Sequence, residues 1–483
     1  MTIGCDAMTA VSVIANASNK EATQSLLRHM AQVLSHRGEI LLSKAYCDTV
    51  THGIVVQSHR PQVPMIREGK DWLTIIDHVC RTPLPSSGTA TVIHLEKDRL
   101  RVSRQRFCMR GVFYSVDDGR LIMSNEAKTV AAVTAEQINR LEPGQTLTAD
   151  SSGTVSITPT ADSETSSHRV TTRDDAIDSL ASSLREEFSC LRKEKVGVLF
   201  SGGVDSGLVA LLSSQYAKKT VLFSVSAETS RDHEAAVDAA DALGLPLVVE
   251  TIDEELVWKM LPSVIYAIES SRRMDVAIAL PFLVAARAAA KRGIRLMVSG
   301  QGPDELFAGY ARHVRIMQDG GPRALDEQLR TEVAMTHRTN LERDERAVAH
   351  GGCDLFYPYM SRMFIDYALA APSEWKVSLY SEPQRKTIFR RLAIEMGLPR
   401  KIATARKSAT QFSSGSDRLI VDAVRSHTVG TSIGRRRASS MVQPVLDEIA
   451  FRLGVAPAPS SPPSIDADWS SVDQFLRALA TGD

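Results

Sequence analysis

The residues best suited to chemistry form a glycine-rich segment in the middle of the chain, Ser201-Gly202-Gly203-Val204-Asp205-Ser206. It follows an apolar run at Val196–Phe200 and precedes a helical pattern, which indicates a strand-to-helix turn. Glycines let a backbone approach an anion closely, the hydroxyls of Ser201 and Ser206 add donors, and a helix N-terminus favours negative charge. Asp205 would repel a phosphate unless a magnesium ion lay between them. This first turn therefore predicts a phosphate site; the alternative is a serine-capped turn without a ligand.

A second turn follows the apolar run Leu296–Val298 and reads Ser299-Gly300-Gln301-Gly302-Pro303-Asp304-Glu305-Leu306-Phe307-Ala308-Gly309-Tyr310. It places a second carboxylate, Asp304, shortly after a strand, as Asp205 is in the first turn. Carboxylates and phosphate oxygens form the usual ligand shell of magnesium. Either aspartate alone could simply cap a helix, but the two together favour a metal site.

The chain changes its pattern near residue 160. Residues 1–160 contain one helical stretch, Ala22–Leu34, and short β-rich runs, which together predict an α+β domain. The runs are Ala10–Ala15, Gly53–Gln57, Leu73–Ile76, Thr89–Leu95, Leu100–Ser103, Val112–Tyr114 and Leu121–Ser124. The Ser/Thr-rich residues 161–173 are typical of a linker. Strand and helix patterns then alternate over 174–430, which predicts a doubly wound parallel sheet whose ligands bind beyond the strands' carboxyl ends. Residues 431–483 are predicted to form a partly flexible tail with a short helix at Val472–Ala480.

The composition is that of an ordinary globular protein, with 43% hydrophobic and 24% charged residues. The 57 basic and 57 acidic side chains cancel, so no overall field favours nucleic acid. Six scattered cysteines show no metal-binding spacing. No signal peptide and no apolar run long enough to span a membrane are apparent, so a cytoplasmic location is expected.

The first turn resembles the pyrophosphate loop of N-type ATP pyrophosphatases. The second resembles the SGxGxDELFGGY signature of the asparagine synthetase family, departing from it at Pro303 and Ala308. This resemblance implies a PP-loop, HUP-like domain that cleaves ATP between its α and β phosphates, with magnesium on Asp205 and Asp304. The positions matching the family's nucleotide-binding residues are Leu199, Ser201, Gly202, Gly203, Asp205, Ser206, Val225, Ser299, Gly300 and Lys386.

The same resemblance implies three catalytic positions. Lys407, within Arg406–Gly415, corresponds to a lysine that stabilises charge on the carbonyl of an acyl-adenylate. Arg390 completes a KxxxR pattern with Lys386, although such a pair is equally typical of a solvated helix face. Gln301 stands where asparagine synthetases have glutamate, and an amide cannot act as a general base. The family's carboxylate-binding arginine is also missing from Met274–Ala277; Arg272 and Arg273, just upstream, are either its substitutes or surface charges.

The first domain resembles class II glutamine amidotransferases, which implies an Ntn-hydrolase-like fold. Those enzymes use a cysteine directly after the initiator Met, whereas this chain has Thr2 there and its nearest cysteine is Cys5. The glutamine-binding Asn-Gly-Glu is absent from Glu68–Val79. The domain is therefore expected to have lost glutaminase activity. The segments that carry the resemblance are His36–Glu39, Arg104–Arg110, Ser124–Lys128 and Leu141–Gly144.

Together these features predict an asparagine synthetase-like ligase that adenylates a small carboxylate, aspartate or an analogue, and transfers it to ammonia or an amine. ATP and Mg²⁺ are the implied cofactors, and a homodimer is compatible with the family pattern. Three alternatives stay open: a glutamine-hydrolysing asparagine synthetase, a β-lactam-synthetase-like tailoring ligase, and a non-catalytic ATP-binding protein. The pattern is most similar to archaeal and eukaryotic proteins that contain an asparagine synthetase domain.

Overall fold

The computed structural model describes most of the chain and consists of two antiparallel sheets followed by a parallel one. This confirms the predicted α/β fold class, an α+β N-terminal part followed by a doubly wound parallel sheet. The described residues are 10–47, 51–60, 65–69, 72–79, 88–96, 99–160, 170–227, 231–380, 384–405, 415–429, 433–459, 463 and 467–481.

The N-terminal part stacks two six-stranded sheets, in the orders β10-β8-β9-β1-β3-β2 and β12-β11-β7-β6-β5-β4. Side chains alternate between the faces of a strand, so Val13 joins the core between the sheets while Ile14 faces the helical layer. The strands are β1 (Ala10–Ala17), β2 (Glu39–Cys47), β3 (Thr51–Ser58), β4 (Met65–Glu68), β5 (Trp72–Asp77), β6 (Thr91–Glu96), β7 (Arg99–Arg104), β8 (Phe113–Asp117), β9 (Arg120–Ser124), β10 (Asn139–Arg140), β11 (Gln145–Asp150) and β12 (Val155–Pro159).

The C-terminal part is built on a five-stranded parallel sheet in the order β15-β14-β13-β16-β17. The chain moves outward from β13 in one direction and then returns to its other side, so the strand order reverses between β13 and β16. Ligands of such sheets bind at this switch point. The strands are β13 (Lys195–Leu199), β14 (Lys219–Ser226), β15 (Leu247–Thr251), β16 (Leu296–Val298) and β17 (Asp354–Phe356), with a separate ribbon of β18 (Val377–Ser378) and β19 (Gln384–Arg385).

Helices cover the sheets and form most of the C-terminal part. Within the described part of the chain, no helix combines the length and apolar character needed to cross a membrane. The helices are α1 (Lys20–Val33), α2 (Ala127–Ala131), α3 (Arg173–Phe188), α4 (Val204–Tyr216), α5 (Arg231–Leu243), α6 (Glu254–Ile268), α7 (Arg273–Lys291), α8 (Pro303–Leu306), α9 (Ala311–Thr336), α10 (Glu342–His350), α11 (Arg362–Ala370), α12 (Thr387–Glu395), α13 (Arg400–Ala403), α14 (Ser416–Ser426), α15 (Arg435–Arg452) and α16 (Ser470–Thr481).

Helix α15 lies beyond residue 430, where the sequence predicts a tail. Its apolar side chains Val442, Leu446 and Ile449 are buried in the same core as the parallel sheet. The packed C-terminal part therefore extends at least to residue 452, because a helix with a buried apolar face needs that surface for its stability. Helix α16 matches the helix that the sequence predicts at Val472–Ala480.

Helix α10 lies between the two parts, and its acidic side chains are bound by arginines of the N-terminal part. Glu345 accepts hydrogen bonds from Arg37 at 2.5 and 3.0 Å and from Arg110 at 3.2 Å. Glu342 accepts one from Arg104 at 2.7 Å. All five side chains are buried. Burial alone would raise the pKa of Glu345, but the two arginines hold it below its ordinary value.

The same ion-pair network continues to the parallel sheet. Asp354, at the start of β17, accepts hydrogen bonds from Arg110 at 2.9 Å and from Arg60 at 3.4 Å. Arg60 also donates to Glu194 at 2.7 Å. Arginines of the first part thus neutralise carboxylates of the second inside the interface. A buried charge is tolerated only when it is paired, so each part depends on the other.

We predict that Glu345→Ala lowers the free energy of unfolding of the full chain by about 3 kcal/mol, because Arg37 and Arg110 lose a buried partner. Urea denaturation measures this change. Asp238→Ala is the matched control, since Asp238 pairs with Lys401 at an exposed position and should contribute less than about 1 kcal/mol. Equal effects of the two substitutions would contradict the assigned role of the interface.

Candidate functional site

The first turn has the backbone geometry of an anion-binding loop. Gly202 has φ +76°, and a Cβ there would meet the carbonyl oxygen of Ala235 at 2.5 Å, so only glycine fits. Gly203 is the N-cap of α4 and carries no side chain above the helix N-terminus. The Ser206 hydroxyl lies 3.2 Å from both the backbone nitrogen and the Oγ of Ser201. The two serine hydroxyls therefore lie together beside the N-terminus of α4, where the helix dipole favours an anion.

The second turn packs directly against the first. A Cβ at Gly300 would lie 2.9 Å from the carbonyl carbon of Asp205 and from the nitrogen of Ser206, so the two backbones are in contact. The buried Tyr359 donates a hydrogen bond to the carbonyl oxygen of Asp205 at 3.0 Å and fixes the first turn from the opposite side. The two turns predicted from the sequence thus lie together at the switch point of the sheet.

A buried lysine connects the two aspartates of the turns. The Nζ of Lys386 lies 2.8 and 2.7 Å from the carboxylate oxygens of Asp205 and 2.7 Å from Oδ1 of Asp304. Two oxygens that both lie at this distance from one nitrogen are at most twice that distance apart. The two carboxylates are therefore close together. A Cβ on Gly309 would overlap both Asp304 and Lys386, so glycine is required for this approach. Burial lowers the pKa of Lys386, and Asp205 opposes that shift.

The other predicted nucleotide residues lie around these turns. Leu199 ends β13, while Val225 is near the end of the neighbouring β14, and both contact the core. Ser299 is buried beside β16, and its Oγ accepts the backbone N–H of Gln301 at 3.3 Å. These positions form one continuous edge at the carboxyl ends of β13, β14 and β16.

The side chain of Gln301 forms a hydrogen bond within the protein. Its Nε2 donates to the carboxylate of Asp344 at 3.0 Å, and Arg343 donates to the same carboxylate at 2.8 Å. Burial raises the pKa of Asp344, and Arg343 offsets only part of that shift. Nearby, Glu305 accepts hydrogen bonds from Tyr310 and Asn340. Asp344 and Glu305 were not assigned a role from the sequence.

Arg390 contacts backbone rather than a carboxylate. Its guanidinium donates to the carbonyl oxygens of Arg385 at 3.1 Å, of Ala403, and of Ala405 at 3.1 Å. It therefore holds the end of α13, immediately before residues 406–414. Lys407, the predicted catalytic lysine, lies outside the described residues.

Two of the four segments in which the sequence resembles amidotransferases, His36–Glu39 and Ser124–Lys128, meet around Glu126. This carboxylate accepts from Arg37 at 2.6 Å, lies 3.0 Å from Nε2 of His36, and pairs with Lys128. Burial would raise the pKa of Glu126, but these three neighbours hold it well below its ordinary value. The motif residues thus form ion pairs that lead to α10. Thr2 and Cys5 lie outside the described residues.

A small cavity between the two parts, of about 40 Å³, is separate from the turns. It is lined by residues that include Asp77, Cys108, Arg110 and Glu187. Burial raises the pKa of Glu187 to about 8. The volume suits a few water molecules and excludes a nucleotide.

Comparison with known proteins identifies the family. The Asparagine synthase family model matches residues 180–320 and 317–439, which together exceed half of the 483 residues. The chain belongs to the asparagine synthase family. Both turns, Lys386 and Arg390 fall inside the matched region, whereas the first domain lies outside it. The family assignment therefore rests on the C-terminal part.

Curated relatives of the family resemble the chain over about half its length. A putative glutamine-hydrolysing asparagine synthetase 1 of Methanocaldococcus jannaschii is 34% identical over 256 residues, 47% of each chain. Asparagine synthetase B of Escherichia coli is 24% identical over 249 residues, 47% of this chain and 43% of the relative. The matches thus span about half the length of these relatives.

Solved structures show only a remote likeness. The NMN synthetase of Francisella tularensis has a TM-score of 0.28 at 12% identity, covering 65% of this chain and 97% of its own. The glutamine phosphoribosylpyrophosphate amidotransferase of B. subtilis has a TM-score of 0.26 at 12% identity, covering 51% and 67%.

We predict that Gly309→Ala lowers the free energy of unfolding by about 2–3 kcal/mol, because the new methyl group must displace Asp304 or Lys386. Thermal or urea unfolding measures the loss. The control is Gly203→Ala, whose Cβ would meet only Ser201 Oγ at 3.7 Å and should cost at most about 1 kcal/mol at an N-cap. A Gly309→Ala variant as stable as Gly203→Ala would disagree with the observed packing.

Proposed function

We propose that this protein is an ATP-dependent ligase that adenylates a small carboxylate, releases pyrophosphate, and transfers the acyl group to ammonia or an amine. One observation carries the proposal: the two glycine turns are in contact, and their aspartates face a common point at the switch point of the sheet. Membership of the asparagine synthase family supports it. The proposal includes a cytoplasmic location and small-molecule partners.

The nucleotide would bind along the edge formed by the turns. In this proposal the backbone of Ser201–Ser206 and the second turn at Ser299 and Gly300 receive the phosphates, while Leu199 and Val225 contact the adenine. The C-terminal ends of the strands and the N-terminus of α4 supply donors and a favourable dipole for these anionic groups. Lys386 adds a positive charge at the same place.

Asp205 and Asp304 fit a magnesium ion bound together with phosphate. Their carboxylates are close enough to share one cation, and their side chains are 21% and 11% exposed, so both remain accessible. Among the described residues, no group of three or more His, Cys, Asp or Glu side chains could hold a metal unaided. The ion would therefore take its remaining ligands from phosphate and water, and it would neutralise phosphate charge.

The proposed reaction has two steps. A carboxylate oxygen attacks the α-phosphorus of ATP, forming an acyl-adenylate while pyrophosphate leaves. The nitrogen of ammonia or an amine then attacks the acyl carbon, an amide bond forms, and AMP leaves. Lys407 is proposed to stabilise the oxyanion of the second step, with Arg390 holding the chain that leads to it. Gln301 cannot accept the proton released by the nitrogen.

We predict that the wild-type protein releases pyrophosphate in a screen of carboxylic acids with ATP and Mg²⁺, run with and without ammonia. Asp205→Asn should lower the rate at least about 100-fold, because phosphate and metal lose a charged partner. Asp238→Asn, at an exposed ion pair, serves as the control and should leave the rate unchanged. Unchanged pyrophosphate release in Asp205→Asn would refute the assigned site.

The first domain is proposed to act as a structural partner without glutaminase activity. Supporting this, the glutamine-binding Asn-Gly-Glu is absent from Glu68–Val79, and Arg37 and Arg110 are engaged in buried ion pairs with α10. The N-terminal part would then neutralise Glu345 and Asp354 of the second part, a role that needs no catalytic residue.

We predict that glutamine does not replace ammonia as a nitrogen donor and that the purified protein releases no ammonia from glutamine. Coupled measurement of ammonia and glutamate tests this directly. Steady ammonia release that is abolished by Cys5→Ala or Thr2→Ala would instead support a glutamine-hydrolysing asparagine synthetase.

A further inference from the structure

We infer that Lys386 is an internal counter-ion that holds Asp205 and Asp304 when no divalent cation is bound, and that the cation must displace it. This inference rests on the proposed function in one respect, the assignment of these two aspartates as metal ligands. It adds that the divalent cation competes with a positively charged side chain of the same protein for the two carboxylates.

The distances support competition rather than simple proximity. The ammonium group of Lys386 lies within 2.8 Å of both oxygens of Asp205 and 2.7 Å from Asp304. It therefore occupies the point from which a single ion would contact both carboxylates. The lysine side chain is only 2% exposed, whereas the side chains of Asp205 and Asp304 are 21% and 11% exposed. The carboxylates thus face solvent more than the lysine does.

The backbone around Lys386 is arranged to hold this position. Lys386 has φ +57° and ψ 34°, a left-handed conformation that costs a non-glycine residue roughly 1–2 kcal/mol. The adjacent Arg385 donates to the carbonyl oxygen of Gly309 at 2.7 Å. The backbone N–H of Thr387 donates to the carbonyl oxygen of Lys376 at 2.9 Å. The ion pairs on both aspartates offset the strain, which persists only where surrounding structure fixes it.

The charges explain what such a counter-ion would do. Two carboxylates and one ammonium leave a single negative charge, and a divalent cation binding alone must break the contacts of Lys386 with both aspartates. A triphosphate brings its own negative charge and can accept the lysine ammonium. The site would therefore bind metal weakly without nucleotide and more tightly with it. A lysine that only contacts phosphate would predict no such dependence.

The test is Mn²⁺ binding to the full chain without nucleotide, measured by electron paramagnetic resonance or calorimetry. Lys386→Met should bind Mn²⁺ at least about 10-fold more tightly than wild type, because the competing charge is gone. Lys386→Arg keeps the charge and should stay within about 3-fold of wild type. Adding Asp205→Asn to Lys386→Met should reverse the gain. A Lys386→Met affinity no higher than that of wild type would overturn the inference.

Lys376→Met is the matched control, since Lys376 is also fully buried next to the same ribbon, and its acidic neighbour is Asp326. The Mn²⁺ affinity of Lys376→Met should equal that of wild type. A gain in affinity as large as that of Lys386→Met would overturn the inference.

If Lys386→Met does not fold, Lys386→Gln carries the same expectation. Because no nucleotide is present, tighter Mn²⁺ binding without pyrophosphate release by wild type would refute the proposed reaction and leave the counter-ion intact.

Discussion

The contact between the carboxyl ends of β13 and β16 is the constraint on which the candidate site depends. It exists because Gly300 has no side chain, which lets its backbone reach Asp205 and Ser206. Any larger residue there would separate the turns, and with them the two carboxylates. Lys386, which directly precedes α12, pairs with both carboxylates, and Gly309 leaves room for its side chain. The site is thus assembled from three chain segments that meet only in the folded sheet.

Buried charges are paired both at the site and at the interface. At the site, Lys386 is shared by two aspartates; at the interface, Arg110 is shared by Glu345 of α10 and Asp354 of β17. Such pairs contribute little net stability compared with apolar packing, but they penalise any arrangement that leaves one partner alone. They therefore specify how segments meet more than how strongly they bind.

The sequence predicts the glycine turns and the central strands well, because buried strands have continuous apolar runs and glycine turns have few alternatives. It misses β2, β4, β10, β12 and β17, which are all edge strands, the polar interior strand β11, and the short ribbon strands β18 and β19. An edge strand has one bonded neighbour and a weaker apolar pattern, as the exposed β12 illustrates. The charged run of α10 is typical of a solvated surface, and only the fold reveals that Glu342 and Glu345 are buried.

Helix α10 connects the candidate site to the interface between the two parts through adjacent residues. Asp344 accepts from Gln301 of the second turn, while its neighbour Glu345 accepts from Arg37 of the N-terminal part. Successive positions of a helix point in different directions, so one helix can contact both the site and the interface. A displacement of α10 would therefore change the hydrogen bond of Gln301 and would at the same time expose the buried carboxylate of Glu345. The arginines of the N-terminal part therefore fix the helix that borders the site.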